Sequence, residues 1–218
     1  MAEGDGVAGE YVIDVPRMRQ FIEAVNKIRA ASNDPHDIIT AIRPHFAELL
    51  ADKDWLPARY QEPFEGSGMG SGIGMWLLYR ASDGSLAFSS LVVPPGQQTP
   101  VHDHLAWGLV GLYRGKQDED VFARRDDGAD AERAELDLVQ QHQLTPGDFY
   151  ELLPENDIHR VRTTSPETSV SLHLLGNDNG CIWRHRYHPD ESRVEPFRSG
   201  YVNIDCEKIA GAGTQEKA

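Results

Sequence analysis

The stretch Gly96-Gln97-Gln98-Thr99-Pro100-Val101-His102-Asp103-His104 decides the fold, because it sets two histidines one residue apart within what reads as a strand. Strand positions i and i+2 project to one face about 6.5 Å apart, so His102 and His104 converge while Asp103 points away. A third imidazole must come from a neighbouring strand. His159, which follows Pro154-Glu155-Asn156-Asp157-Ile158, is the best placed, and three imidazoles arranged in this way make a metal site.

The surrounding glycines and prolines support that reading. Gly96 lies six residues before His102 and Gly115 eleven after His104, a spacing that resembles the first cupin motif. Pro154 to His159 resembles the second, with Asn156 in place of a glycine. The exchange is a mild one, because Asn tolerates left-handed backbone better than most residues. The glutamate that the cupin pattern carries four residues after the His-x-His pair is replaced by Gly108, which leaves an all-histidine shell. Such a neutral shell leaves a divalent metal its full charge and about three open positions if octahedral. This suits iron(II) and a substrate that brings an anionic donor such as a thiolate, with space for dioxygen. Zinc with three histidines and an activated water is the competing chemistry, and ligand count does not separate the two.

Four segments, in order along the chain, carry a more specific resemblance. They are Pro100-Val101-His102-Asp103-His104-Leu105-Ala106-Trp107-Gly108, Asn156-Asp157-Ile158-His159-Arg160-Val161, Ser171-Leu172-His173-Leu174-Leu175-Gly176 and Pro196-Phe197-Arg198-Ser199-Gly200-Tyr201-Val202-Asn203. From about Trp55 to Asn203 the chain resembles the cysteine dioxygenase superfamily, and within it the bacterial 3-mercaptopropionate dioxygenase branch. The resemblance implies a cupin barrel holding Fe(2+) on His102, His104 and His159, and the addition of both atoms of dioxygen to a thiol sulfur to give a sulfinate. Ser171 and His173 match the first two members of the family's Ser-x-His-x-Tyr relay and are the catalytic candidates. The third position is Leu175, so the phenol is missing there, and the Cys-Tyr crosslink of the mammalian enzyme is excluded. Where cysteine-specific relatives place an early Arg, this chain reads Met75-Trp76. Arg184 matches the later Arg of the mercaptopropionate branch and is the expected carboxylate clamp, since a guanidinium fork fits that group. Arg186 shares its face as a substitute. Trp76, Trp107 and Leu175 are expected to narrow the pocket and make it more apolar. The departure at Leu175 keeps two alternatives open, a cupin oxygenase with another substrate and a non-catalytic cupin that binds a metal-chelated ligand.

Composition bounds the partners. A formal net charge of −14 and the lack of any Lys/Arg run argue against nucleic acid. No stretch approaches 18 apolar residues and the N-terminus has neither a basic region nor an apolar core, so no membrane span is expected. A small-molecule thiol and dioxygen are the expected partners, and the oligomeric state is left open. Cys181 and Cys206 are too few and too far apart to read as a disulfide scaffold. Cys181 reads as a buried structural thiol, and a reducing cytoplasm fits.

At 218 residues the chain suits one domain with a full core. Residues 1–10 read as a flexible N-terminus, 11–208 as an all-β cupin (double-stranded β-helix) domain with a helical lead to about 52, and 209–218 as a disordered tail. Met18, Phe21, Ile22, Val25 and Ile28 recur at helical spacing after Asp14 and Pro16, which reads as a capped amphipathic helix. A second helix begins near Asp34-Pro35 with Ile38, Ile39 and Ile42, and Pro44 is expected to open a third short turn carrying Phe46, Leu49 and Leu50. The glycine-rich stretch Gly66 to Gly74 leads into a strand rather than a helix, so it is not a phosphate loop but a flexible one, placed to cover the barrel mouth. Strands are expected at Met75 to Tyr79, Ala87 to Val93, Leu109 to Tyr113 and Phe149 to Leu153. The run Arg124 to Glu135 reads as a solvated excursion, and His36, His45, His142, His185 and His188 as structural or surface histidines.

Overall fold

The computed structural model describes residues 9–208. Its elements are β1 (Gly9–Tyr11), α1 (Pro16–Ala31), α2 (Pro35–Ala51), β2 (Gly74–Ala81), β3 (Ala87–Val93), β4 (Val101–His102), β5 (Gly108–Arg114), β6 (Gln117–Arg124), β7 (Leu136–Leu144), β8 (Phe149–Leu152), β9 (Ile158–Thr163), β10 (Ser169–Leu175), β11 (Arg184–His188) and β12 (Arg193–Phe197). Two six-stranded antiparallel sheets form, in the orders β1-β2-β3-β10-β5-β8 and β12-β11-β4-β9-β6-β7. From β3 to β10 the strands alternate one by one between the two sheets, except that the β6–β7 hairpin stays in the second, which is the double-stranded β-helix of a cupin barrel. Gly9 and Glu10, expected within the flexible start, pair in β1 with Ala81 and Arg80, and the rest of that expected segment lies outside the described residues. The expected tail from residue 209 lies outside the described residues. No helix among them is long and apolar enough to cross a membrane.

The two helices lie on the outer face of the first sheet. Met18, Phe21, Ile22 and Val25 of α1 and Ile39, Ile42, Phe46, Leu49 and Leu50 of α2 pack with Leu78, Phe88, Leu109, Leu172 and Leu174 in one buried cluster. The strand period explains the division: Val170, Leu172 and Leu174 face the helices, and Ser171, His173 and Leu175 face the barrel interior. Asp34 caps α2 by accepting the His36 N–H at 2.8 Å, whereas Asp14 pairs with Arg19 and leaves α1 uncapped by a side chain.

Pro44 does not open a third turn. It sits inside α2, where a missing N–H and a ring clash cost about 3 kcal/mol. Six apolar side chains from Ile38 to Leu50 are buried on one continuous face of that helix, at roughly 1.5–3 kcal/mol each. Burial outweighs the break, and exposed Pro44 is tolerated on the outer side.

Cys181 and Cys206 form a disulfide with a Cα–Cα distance of 5.3 Å, which corrects the expectation of a buried free thiol. The chain returns after β12 so that the 3₁₀ turn carrying Cys206 lands beside the loop after β10, a proximity that a separation of 25 residues does not reveal. Disulfides persist in oxidising compartments, so cysteine usage no longer supports a reducing one.

Candidate metal centre

β4 is only two residues long and ends at His102, which is paired with His159 of β9 and Arg186 of β11. His104 therefore lies beyond the strand, contrary to the reading of both histidines on one strand. It reaches the same side because Asp157 captures the turn: the carboxylate accepts the backbone N–H of His104 at 2.9 Å, that of Leu105 at 2.8 Å, and Nδ1–H of His104 at 2.9 Å. Leu105 adopts φ 54°, a left-handed conformation costly for a non-glycine residue. Asn177 and Asn179 hold it there by donating to the His104 carbonyl, each at 2.9 Å. The three imidazole centroids end 4.8 to 4.9 Å apart.

Each ring is oriented by its Nδ1. That of His102 lies 2.9 Å from the Pro100 carbonyl, that of His104 2.9 Å from Asp157, and that of His159 2.7 Å from Glu119. All three partners are acceptors, so Nδ1 carries the proton and Nε2 presents its lone pair inward. The ligand atoms lie within 4.8 Å of one another. Nε2 of His159 is buried and has no partner, which is the expected signature of an atom waiting for a metal. Burial first, then the positive potential of Arg184 and the neighbouring rings, holds His102 and His104 well below the ordinary imidazole pKa, in the neutral form a metal requires. Among the described residues no carboxylate joins the three rings, so the donor set they offer is all nitrogen.

Glu119 and Asp157 supply the outer negative charge. Burial opposes the Glu119 carboxylate, but hydrogen bonds from His159 and His142 and from the Tyr150 hydroxyl bring its pKa below the usual range. For Asp157, burial prevails and the pKa is raised. Asp103 does point away from the three rings: it accepts from His185 at 2.6 Å and Tyr187 at 2.9 Å. The histidines at 142 and 185 thus sit behind the site as supports.

Beside the rings is a void of about 10 Å³, roughly one water, lined by Met69, Met75, Leu91, His102, His104, His173, Asn179 and Arg184. Ser171 Oγ is 3.0 Å from Nε2 of His173, and burial pushes the His173 pKa down to about 3. Arg184 is 2% exposed. Its guanidinium donates to the carbonyls of Asp103 at 2.6 Å and Asn179 at 3.4 Å and to Ser199 Oγ at 3.1 Å, and lies over the Phe197 ring. It ion-pairs with no carboxylate among the described residues, and burial lowers its pKa to about 10. Arg186 does not share this role, since it pairs with Glu195 and the Gly68 carbonyl.

The aromatic candidates are elsewhere. Trp76 points to the outer face, where it donates to the Glu62 carbonyl at 2.9 Å and packs between Tyr60 and Phe64; the bordering side chain from this strand is Met75. Trp107 packs against the helix-side cluster, with its carbonyl accepting from Gly176. Leu175 faces the barrel interior with Val110 and Leu152, away from the void. A Cβ at Gly108 would meet Leu175 Cδ2 at 2.5 Å and the Leu174 backbone carbonyl at 2.6 Å, so the usual glutamate position is sterically closed as well as empty of a donor.

Sequence reasoning missed Glu119, Asp157, Tyr150, Asn179, Met69 and Met75. Glu119 had a signal: in Gln117-Asp118-Glu119-Asp120-Val121, the alternate positions 117, 119 and 121 are the buried ones. Its reading was masked by the acidic run.

No family model matches the chain. Among solved structures, an uncharacterised double-stranded β-helix protein of Klebsiella pneumoniae subsp. pneumoniae aligns over 59% of this chain and 93% of its own, at 14% identity and TM-score 0.41. The cysteine peptidase Peruvianin-I of Thevetia peruviana latex aligns over 44% of this chain and 52% of its own, at 22% identity and TM-score 0.35. An oxalate oxidase aligns over 44% of this chain and 43% of its own, at 14% and 0.35. The chain thus spans about half the length of these last two. The cupin assignment rests on the strand order itself.

Proposed function

We propose that the protein is a non-haem iron(II) thiol dioxygenase that converts a small thiol carboxylate, of the 3-mercaptopropionate type, to its sulfinate. The observation that carries this reading is a buried guanidinium that ion-pairs with no carboxylate among the described residues, beside three convergent imidazoles. His102, His104 and His159 would hold the metal through Nε2, each kept in register by the acceptor behind it. Iron(II), when bound, would supply the open positions at which a thiolate and dioxygen meet, while the four electrons that reduce dioxygen come from the sulfur as it passes from thiolate to sulfinate.

The remaining work falls to the chain. Arg184 has five N–H donors and uses three on the protein, so it can turn the others to a carboxylate, and a buried charge-assisted pair of this kind is strong. The lining has no carboxylate to receive an ammonium group, which favours a thiol acid without an amine. Met75 and Leu91 exclude water from the carbon chain. His173, held neutral by burial and hydrogen-bonded to Ser171, can orient a hydrogen bond at the edge of the void. The Tyr150 hydroxyl lies 3.4 Å from Nδ1 of His159, on the side of the ring away from Nε2, so it supports Glu119 and does not replace the phenol missing at Leu175.

Oxygen uptake by the iron-loaded protein with a panel of thiols, with the sulfinate detected by mass spectrometry, tests the reading. Turnover of 3-mercaptopropionate that falls at least about tenfold in Arg184→Ala is expected; equal rates with cysteamine, or a zinc-loaded protein indifferent to oxygen, would overturn it.

A further inference from the structure

The void beside the histidines is too small for any thiol acid, so one of its walls must move. Most walls are fixed: Leu91 and Met75 lie on central strands, His102 and Arg184 on paired ones, and Asn179 is tied to the His104 carbonyl. Met69 is different. It comes from an irregular segment, is 3% exposed, and its thioether makes no hydrogen bond. Glycine occupies every second position of that segment from Gly66 to Gly74, and Gly66, Gly70 and Gly72 adopt φ of 94°, 126° and 71°, conformations open mainly to glycine. Two hydrogen bonds at Gly68 hold the segment down beside Met69, its N–H to the Ser199 carbonyl at 3.1 Å and its carbonyl from Arg186 at 2.7 Å.

We propose that residues 66–74 form a glycine-hinged lid and that Met69 is its plug, a specificity-determining side chain that swings out to admit the thiol and then packs on its carbon chain. This rests on the reading of the site as a metal centre for a small thiol acid. The closed position leaves room beside Arg184 for a short unbranched chain only after the flexible thioether has shifted. The length and branching of the accepted thiol are therefore set by Met69 and not by the rigid barrel wall. Ser199 couples lid and clamp, since its carbonyl receives Gly68 while its hydroxyl receives Arg184.

The test uses full-length protein loaded anaerobically with cobalt(II), whose absorption bands report anion and thiolate binding without turnover. Azide, 3-mercaptopropionate and 4-mercaptobutyrate are titrated into wild type, Met69→Ala and Met69→Leu. In Met69→Ala, the affinity for 4-mercaptobutyrate relative to 3-mercaptopropionate is expected to rise about tenfold, the discrimination one methylene commonly carries, with azide unchanged and Met69→Leu close to wild type. Azide binding with an unaltered thiol ratio would overturn the plug while leaving the metal centre standing. Absence of any azide or thiolate band would overturn the metal centre, and the plug with it. In Gly68→Ala a Cβ would meet the Arg198 carbonyl at 2.6 Å, so hydrogen exchange across 66–74 is expected to accelerate; unchanged exchange there would remove the hinge.

Discussion

Oε1 of Glu119 stands 2.7 Å from Nδ1 of His159, while its Oε2 receives His142 at 2.8 Å, so one buried carboxylate joins a ring of the candidate metal centre to a half-exposed histidine. The pair fixes the His159 tautomer and ring angle and raises the basicity of Nε2. Glu119→Gln keeps the shape and removes the charge. It is expected to weaken metal affinity about tenfold to a hundredfold, read by competition with a chromophoric chelator; affinity equal to wild type would show that the carboxylate does not tune the ligand.

His159→Ala removes the only ligand contributed by β9. Two imidazoles from one turn cannot close the shell, so the purified variant is expected to carry less than about a tenth of an equivalent of metal. Stoichiometric metal in that variant, measured by elemental analysis, would remove His159 from the ligand set.

Arg184→Lys keeps a cation but loses the planar fork that reaches the Asp103 carbonyl and Ser199 together. The KM for 3-mercaptopropionate is expected to rise about tenfold or more, with a smaller change in kcat. An unchanged KM would mean that the substrate carboxylate is bound elsewhere.

The metal-free protein is expected to lose stability on mild acidification. His173 titrates at about 3 when folded and near 6.5 when unfolded. Between these values the unfolded chain binds a proton that the native state refuses, so stability is full above about pH 6.5 and falls as the pH drops, by about 1.4 kcal/mol per pH unit for each such ring. His102 and His104, lowered in the same direction, add to the slope. His185 opposes it, because Asp103 raises its pKa and that contribution is lost only as pH rises. Urea unfolding at pH 7, 6 and 5 checks the sign; a flat or rising profile would mean the rings accept protons in place.

Reduction of the Cys181–Cys206 bond, or Cys206→Ser, releases a loop of 25 residues in the unfolded chain. The expected loss is about 3 kcal/mol, or a fall in Tm of roughly 6 to 12 °C for a domain of this size. An identical Tm with and without dithiothreitol would show that the bond contributes nothing to stability.

Residue types, local periods and the cupin-like motif spacing were enough for the mostly β fold with its helical lead and for the three histidines that the structure brings together. The alternation of apolar residues and the His-x-His spacing are short-range facts, and short-range sterics read them directly. Ala87 to Val93 is a strand with the bounds expected. β6 and β7 went unread because their charged residues, Asp118, Glu119 and Asp120 among them, hide the strand period.

What the sequence determined by itself was the chemistry on offer: an all-imidazole donor set, a nearby arginine, and no glutamate at position 108. Only the tertiary structure decided which side chains share a space with the donors. It put Met75 in the place expected of Trp76, sent Leu175 away from the void, set Glu119 and Asp157 behind the rings, and joined Cys181 to Cys206. The physical reason is that a strand's alternation fixes the face of a residue but not its height along the barrel. Height depends on register, bulges and turns, and these follow from contacts between segments distant in the chain.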